Sequence, residues 1–228
     1  MASPIDSAKV AMQLAPYLAP RMAGGALARV LDLAIEGYSK LPGAKHAAAE
    51  MLKQKDDVEL AINALVNQHV ALAGAQGFAT NLGGFVTALV AIPANMAGAA
   101  VIQCRMVAGI AHLRGYDLGD NRVRSAVLMC LLGKTHTDEL VKQGQLPSTP
   151  LGVATAPAFD ENLDDKISSL VMNDILAAVS GKRLGVMLSK RIPVIGGGVG
   201  AAVDGYATHA IARHAKQQFP SRRKTRRD

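Results

Sequence analysis

Apolar residues recur at intervals of three and four along most of the chain, which is the spacing of one face of an α-helix. The clearest case is Leu27, Val30, Leu31, Ala34 and Ile35, which predicts an amphipathic helix over residues 26–39. Similar criteria predict helices over residues 3–14, 44–53, 56–74, 83–115, 122–132, 135–142, 164–180, 182–190 and 199–219. A strand pattern competes only at residues 192–195. The sequence therefore predicts an all-α fold.

Two stretches with little charge stand out within this pattern. The first, residues 83–117, is apolar and has no charged residue before Arg105, since residues 61–104 contain no Asp, Glu, Lys or Arg. The second, residues 192–219, is rich in glycine and alanine. We expect the two stretches to form a buried helix pair that the other helices cover, in a single compact multi-helix domain. In this scheme residues 1–55 form N-terminal covering helices, residues 56–219 form the main helical domain, and residues 220–228 form a basic tail.

Turn and cap signals divide the helices. Asp56 and Glu59 have the spacing of a capping box, which predicts a helix start there. Glycines and an asparagine in residues 77–84 predict a tight turn, and Pro93 predicts a kink or restart in the next helix. Asp120 or Asn121 is predicted to cap the helix that follows. Residues 143–159 contain three prolines and no periodic pattern, so they are predicted to be the longest loop.

A membrane span is the alternative to a buried helix for residues 83–104. The stretch is long enough to cross a bilayer at about 1.5 Å per residue. Pro93, Asn95, Gln103 and several small residues make it weakly hydrophobic for a spanning helix. We therefore favour burial in protein, and contact with a membrane surface stays open.

The net charge of +7 comes mostly from one end of the chain. Its basic residues are Lys216, Arg222, Arg223, Lys224, Arg226 and Arg227, opposed by Asp228. No aromatic residues are interleaved with them, so a nucleic-acid partner is not predicted. An anionic lipid surface would suit such a tail, as would a solubilising role.

The two cysteines and the N-terminal residues indicate the compartment. Cys104 and Cys130 both lie in apolar helical runs, which is typical of buried thiols in a reducing environment. Asp6, Lys9 and Pro16 interrupt the layout of a secretory signal. The prediction is a cytoplasmic protein, peripheral at the inner face of the cell membrane if it contacts lipid.

The main chemical candidate is Asp204, which lies on the apolar face of the predicted helix over residues 199–219 together with Thr208. A carboxylate in that position needs a partner, because burying it unpaired is costly. Arg105 or Gln103 could supply one if the two uncharged helices cross closely at their glycines. Such a contact is either a structural pin or part of a catalytic site with His112 nearby.

Other kinds of site find no support in the sequence. No HExxH or CxxC spacing predicts a metal site, and no GxSxG elbow predicts a serine hydrolase. The glycines of residues 196–200 follow no βαβ unit, and no lysine follows them at phosphate-loop spacing. No metal and no cofactor are therefore predicted.

Several ordered motifs between residues 56 and 219 resemble the EcsC protein family. The matching residues are Gly77, Phe78, Gly83, Gly84, Ile92, Pro93, Ala94, Gln103, Arg105, Ala111, Gly115, Tyr116, Asp117, Ile192, Pro193, Val194, Ile195, Gly196, Gly200, Asp204, Thr208, Ala215 and Phe219. The family is bacterial and has no settled activity. Its name comes from a gene neighbour of an ABC-type exporter, which implies accessory work at the membrane. No catalytic residue set is carried over, and an expected Asn in relatives at position 204 weakens an acid/base role for Asp204.

Three functions remain as hypotheses, and the third is a pure scaffold that self-associates through its glycine-rich faces. The first is a non-catalytic, membrane-associated accessory protein that binds lipid or a membrane protein complex. Its binding residues would be Gln103, Thr208, Arg222, Arg223, Lys224, Arg226 and Arg227. The second is a small soluble helical enzyme, a hydrolase or a lipid-modifying activity, with Asp204, Arg105 and His112 as catalytic candidates. The sequence does not give the oligomeric state.

Overall fold

The computed structural model describes residues 23–38, 41–82, 84–179 and 197–222. This part of the chain is almost entirely helical. Its elements are α1 (Ala23–Glu36), β1 (Gly37–Tyr38), β2 (Leu41–Pro42), α2 (Ala44–Lys55), α3 (Val58–Leu82), α4 (Gly84–Leu113), α5 (Asn121–Leu131), α6 (Gly133–Lys142), α7 (Pro150–Ala154), α8 (Glu161–Val179) and α9 (Gly197–Gln218). The all-α prediction is confirmed. The helices predicted over residues 3–14 and 182–190, and the possible strand at residues 192–195, lie outside the described residues.

The predicted start of α3 is wrong by one residue. Asp56 ends α2 in a left-handed conformation, with φ of 52°. Asp57 caps α3, because its Oδ1 atom accepts a hydrogen bond from the Leu60 N–H at 2.8 Å. Glu59 takes no part in this cap and reaches instead to Arg114. The capping signal was present in the sequence, but two adjacent aspartates made its register ambiguous.

Helices α3 and α4, which contain the uncharged residues 61–104, are longer than the glycine and proline residues predicted. The prediction that α3 ends near residues 74–77 is wrong, because the helix continues to Leu82. The turn predicted over residues 77–84 is accordingly helical up to that residue. The helix α4 likewise runs from Gly84 to Leu113 without ending at Pro93. Glycine costs only about 1 kcal/mol in a helix, so packing against neighbouring helices readily overrides it.

Caps and turns account for the shorter elements. Asp120 caps α5 as predicted, since its side chain accepts from the Arg122 N–H. The loop predicted over residues 143–159 contains α7, where Thr149 accepts from the Gly152 N–H and Pro150 occupies the first turn. An antiparallel ribbon pairs Gly37 with Pro42 and Tyr38 with Leu41, which the sequence pattern did not predict.

Helices α3, α4 and α9 form a three-helix unit. Glu59 contacts Arg114, and a Cβ on Gly109 would meet Leu65, so α3 and α4 are antiparallel. Contacts of Lys216 with Asn63 and of Gly205 with Val70 make α3 and α9 antiparallel as well. Contacts from Gln103 to Thr208 and from Arg114 to Phe219 show that α4 and α9 run parallel.

The packing of α9 differs from the predicted glycine- and alanine-rich helix pair. Its most extensive contact is with α3, and its contact with α4 is smaller. At Gly205 of α9 an added Cβ would lie 3.7 Å from the Val70 side chain of α3, so the glycine allows a close approach to α3. The structure therefore does not show the predicted pair of α4 and α9, because α9 packs more extensively against α3 than against α4.

The second half of α4 forms the centre of the core. Helices α1, α2, α3, α5 and α9 all pack against α4. From Cys104 to Ala111 the residues are buried, including the charged Arg105, which is 4 % exposed. None of the helices in the described part has the length and apolarity needed to cross a membrane.

Candidate functional site

Gln103 and Thr208 join α4 to α9. The Gln103 amide donates to the Thr208 hydroxyl, with 3.4 Å between Nε2 and Oγ1. Thr208 is fully buried and Gln103 is partly buried. The sequence placed both residues at the interface of the two uncharged stretches, and the structure brings them together. At this length the hydrogen bond is weak, so it contributes little to the stability of the contact between α4 and α9.

Asp204 lies one turn before Thr208 on α9 and is partly buried. Burial raises the pKa of its carboxyl above the usual value. The predicted contact with Arg105 or Gln103 is not among the hydrogen bonds and ion pairs of residues 23–38, 41–82, 84–179 and 197–222, and the Gln103 amide meets Thr208. Asp204 thus has a raised pKa but lacks the predicted partner among the described residues.

Arg105 faces α3, not α9. It lies one turn before Gly109, whose position meets Leu65, and His69 lies one turn after Leu65 on the antiparallel helix. This register places Arg105 opposite His69, and the Arg105 charge lowers the pKa of His69. Burial lowers the pKa of Arg105 itself to about 10. Its Nε atom is buried and has no hydrogen-bond partner within the part of the chain that is described.

His69 is a fully buried histidine that the sequence analysis did not single out. Its Nδ1 atom lies 2.7 Å from the Leu65 carbonyl oxygen. A carbonyl only accepts, so Nδ1 carries the proton and Nε2 keeps its lone pair. That Nε2 atom is buried without a partner among the described residues. Burial and the neighbouring Arg105 lower the pKa of His69 to about 3, which keeps the ring neutral.

The predicted catalytic candidates do not converge on one point. His112 lies two turns after Arg105 on α4 and is partly buried. Arg105 and His112 therefore share one side of α4, whereas Gln103 lies on the side that faces α9. Asp204 belongs to the α9 side. The catalytic roles proposed for Asp204, Arg105 and His112 stay predictions.

Arg114 connects the beginning of α3 with the ends of α4 and α9. Its Nη1 atom donates to the carbonyl oxygens of Lys216 at 2.7 Å and Phe219 at 2.9 Å. Its Nε and Nη2 atoms donate to the two carboxylate oxygens of Glu59, at 3.1 and 2.8 Å. The Arg114 side chain thereby satisfies carbonyls at the end of α9 that have no partner within the helix.

The start of the basic tail is attached to the same place. The Arg222 N–H donates to the Arg114 carbonyl oxygen at 2.8 Å. The Arg222 guanidinium lies over the Tyr116 ring, 4.3 Å from its centroid. Tyr116 in turn packs edge-on against Phe219, with 4.9 Å between the ring centroids. We call Arg114, Tyr116, Phe219 and Arg222 the Arg222 clasp.

Of the predicted binding residues in the tail, the structure describes only Arg222. Arg223, Lys224, Arg226 and Arg227 lie outside the described residues. The clasp nevertheless fixes the position of Arg222, which directly precedes these four residues in the sequence. Sequence reasoning identified the charge of the tail but missed Arg114. The signal that could have found it is an arginine directly before a helix-ending glycine, Gly115.

Metal and thiol chemistry receive no support from the described side chains. Within the described ranges no group of three or more His, Cys, Asp or Glu residues could hold a metal ion. Cys104 and Cys130 are both buried and unpaired, as predicted. Burial raises the pKa of the Cys104 thiol to about 12 and also raises that of Cys130, so neither is a ready nucleophile.

Comparison with known proteins gives one match. The sequence model of the EcsC protein family matches residues 44–223, which include every helix from α2 to α9. No curated protein and no solved structure matches the chain. The match covers most of the sequence, and the chain belongs to the EcsC protein family.

Proposed function

We propose that this member of the EcsC protein family is a non-catalytic accessory protein that binds the anionic inner face of the cell membrane through its basic tail. The observation that carries the proposal is the Arg222 clasp. Four basic residues, Arg223, Lys224, Arg226 and Arg227, follow directly after Arg222. The Arg222 guanidinium lies over the Tyr116 ring, so the residue that directly precedes these charges is attached to the helical body.

Electrostatic attraction of this kind has the right magnitude for reversible binding. Each Lys or Arg near an anionic bilayer contributes about 1 kcal/mol, and the effect falls off within a Debye length of about 8 Å at physiological salt. Four such residues give an attachment that salt can reverse. A membrane protein complex with an acidic surface, such as an exporter, would attract the same charges.

A non-catalytic role fits the buried polar groups better than the enzyme hypothesis does. Arg105 and His112 lie on a different side of α4 from Gln103, which meets Thr208 of α9. An acid/base mechanism needs its groups within hydrogen-bond reach of one reacting atom. The raised pKa of Asp204 is the observation that favours an enzyme, and burial alone accounts for it.

The test is sedimentation of the full chain with vesicles of stated composition. The parent is mixed with phosphatidylglycerol-containing vesicles and with purely zwitterionic vesicles. The tail variant replaces Arg223, Lys224, Arg226 and Arg227 by Gln. The matched control replaces four exposed lysines elsewhere by Gln, namely Lys45, Lys134, Lys142 and Lys166. Both variants lose the same charge.

We expect binding to anionic vesicles only, and a loss of at least about tenfold in affinity for the tail variant. The control variant should bind within about twofold of the parent, because its charges are dispersed over the body. Equal losses in the two variants would show a bulk charge effect and contradict the proposal. Failure of the parent to bind anionic vesicles, or equal binding to neutral ones, would also contradict it.

A further inference from the structure

Arg105 carries a buried charge without a counter-ion among the described residues. The residue is 4 % exposed, and its Nε atom has no hydrogen-bond partner in the described ranges. None of the ion pairs in those ranges includes Arg105. Of the chain's 18 Asp and Glu residues, only Asp6 and Asp228 lie outside the described ranges. The pKa of Arg105 stays at about 10, so its guanidinium is charged at neutral pH and an anion would stabilise it.

His69, opposite Arg105 on α3, presents an acceptor that is also unsatisfied. Its Nδ1–H donates to the Leu65 carbonyl oxygen at 2.7 Å, so its Nε2 atom carries a lone pair. That Nε2 atom is buried and has no partner in the part of the chain that the structure describes. The Arg105 charge lowers the pKa of His69, which places the two groups within electrostatic reach of each other.

The two side chains do not satisfy each other, because the Arg105 Nε and the His69 Nε2 both lack a hydrogen-bond partner in the described ranges. Together they offer a cationic donor and a neutral acceptor. A water molecule would form both hydrogen bonds but would leave the guanidinium without a counter-charge. An anion without hydrogen, such as sulfate, would supply the charge but would turn an oxygen lone pair toward the lone pair of Nε2.

We propose that Arg105 and His69 form a buried binding site for a small oxyanion that carries a hydroxyl hydrogen, such as hydrogen phosphate or bicarbonate. Its charged oxygen accepts from the Arg105 guanidinium, whose planar set of donors matches oxyanions. Its hydroxyl donates to Nε2 of His69. Burial keeps His69 neutral, so the ring accepts this hydrogen bond and does not replace it with a proton of its own.

The burial of both residues favours a small free ion over a larger phosphorylated molecule. His69 is 0 % exposed and Arg105 is 4 % exposed, so a bound ligand would be almost fully enclosed between α3 and α4. The site contains none of the basic residues of the tail. It therefore goes beyond the proposed membrane binding and does not depend on it.

The test is isothermal titration calorimetry of the full chain at neutral pH with sodium phosphate, bicarbonate or sulfate at equal ionic strength. We expect phosphate or bicarbonate to bind at one site and sulfate to bind at least about 100-fold more weakly. A site that leaves a buried acceptor unpaired rejects the analogue that lacks the hydrogen. This comparison needs only the parent chain, so it does not depend on the folding of any variant.

Three variants assign the binding to the two residues. Arg105→Met should weaken binding of the favoured ion at least about tenfold, since it removes the charged donor. His69→Leu removes the acceptor and should reduce the preference over sulfate to within about threefold. Arg213→Met is the matched control, an exposed arginine of α9 lost in the same way, and should bind within about twofold of the parent.

Three outcomes would overturn the proposed site. The first is that neither phosphate nor bicarbonate binds the parent. The second is that sulfate binds as tightly as they do, which would show that His69 does not select for a hydroxyl hydrogen. The third is an equal loss of affinity in Arg105→Met and Arg213→Met, which would show a general charge effect. Vesicle sedimentation tests the proposed function separately, so failure of the ion site and failure of membrane binding are told apart.

Discussion

Arg105 on α4 and Arg114, the residue directly after the end of α4, lie nine residues apart and differ in the partners that they find for a positive charge. Arg114, where α4 ends, donates to two carbonyls near the end of α9 and to both carboxylate oxygens of Glu59. Arg105, in the buried middle of the helix, has an Nε atom without a partner in the described ranges and faces a neutral histidine. The same side chain therefore holds the fold together at one place and costs free energy at the other.

The difference follows from what each site offers a guanidinium. The end of a helix exposes carbonyl oxygens that need donors, and a surface carboxylate is free to approach. The middle of a three-helix unit offers apolar side chains and saturated backbone, so a charge there loses hydration, and the Nε atom of Arg105 gains no partner among the described residues. The polar contacts of Arg114 therefore stabilise the fold, whereas the burial of Arg105 does not.

The strongest test of this comparison replaces each arginine by Met, which keeps the length and apolar body of the side chain. Arg114→Met removes four charge-assisted hydrogen bonds, two to carbonyls of α9 and two to Glu59, and leaves the carbonyls unsatisfied. We therefore expect it to lower the free energy of unfolding by about 3 kcal/mol. Arg105→Met removes a buried charge that lacks a carboxylate among the described residues, so we expect stability to be unchanged or raised by about 1 kcal/mol. Urea unfolding followed by circular dichroism measures both.

Glu59→Gln separates the two kinds of contact that Arg114 makes. The Glu59 side chain is 56 % exposed, and an exposed ion pair contributes at most about 1 kcal/mol. Most of the loss in Arg114→Met should therefore persist when Glu59 is already Gln. If Arg105→Met were as destabilising as Arg114→Met, the comparison would be wrong, and Arg105 would have to have a structural anionic partner.

The sequence was informative about local structure and much less about the pairing of helices. Apolar spacing and the cap at Asp120 predicted α5 well, because both signals act within a few residues. The glycines at 74 and 77 were read as a helix end, although α3 continues to Leu82. Packing against α4 and α9 overrides the weak local preference of glycine, and that packing is not visible in a local window.

The candidate site illustrates the same limit. Gln103 and Thr208 were expected at one interface, and the structure joins them. Asp204 was expected to meet Arg105 or Gln103, but Arg105 lies opposite His69 of α3 and Gln103 meets Thr208. His69 escaped notice because a single histidine in an uncharged run carries no motif. Its one signal is the four-residue spacing from Leu65, whose carbonyl it contacts.

The second test uses the pKa of His69, which burial and Arg105 lower to about 3. The unfolded chain binds a proton at this residue below a pH of about 6.5, whereas the folded state stays neutral. The contribution of His69 to stability is therefore full above pH 6.5 and is lost as the pH falls toward 3. Between pH 7 and pH 5 this loss is about 2 kcal/mol, from the shift of about 1.4 kcal/mol per pH unit.

His69→Leu removes the titrating group, so its stability should fall by about 2 kcal/mol less than that of the parent between pH 7 and pH 5. The same substitution at the exposed His46 is the matched control and should leave the pH dependence nearly unchanged. Arg105→Met should reduce the acid loss only in part, because burial is the larger cause of the shift. An identical pH profile for parent and His69→Leu would refute the assignment of a buried neutral histidine.

The smallest expected effect concerns the space around the middle of α3, where two glycines of neighbouring helices approach it. A Cβ on Gly205 of α9 would lie 3.7 Å from Val70, an ordinary contact, whereas a Cβ on Gly109 of α4 would lie 2.7 Å from Leu65. Gly205→Ala should therefore raise the free energy of unfolding by about 0.5–1 kcal/mol through helix propensity alone. Gly109→Ala gains the same propensity but must displace a buried leucine in a close-packed core, so we expect no net gain or a loss. Thermal unfolding of the two variants measures both effects.

A gain in stability for Gly109→Ala equal to that for Gly205→Ala would mean that α4 packs against α3 as loosely as α9 does. The orphaned atoms of His69 and Arg105 would then lie in a less tightly packed middle than the close approach of Leu65 to Gly109 indicates.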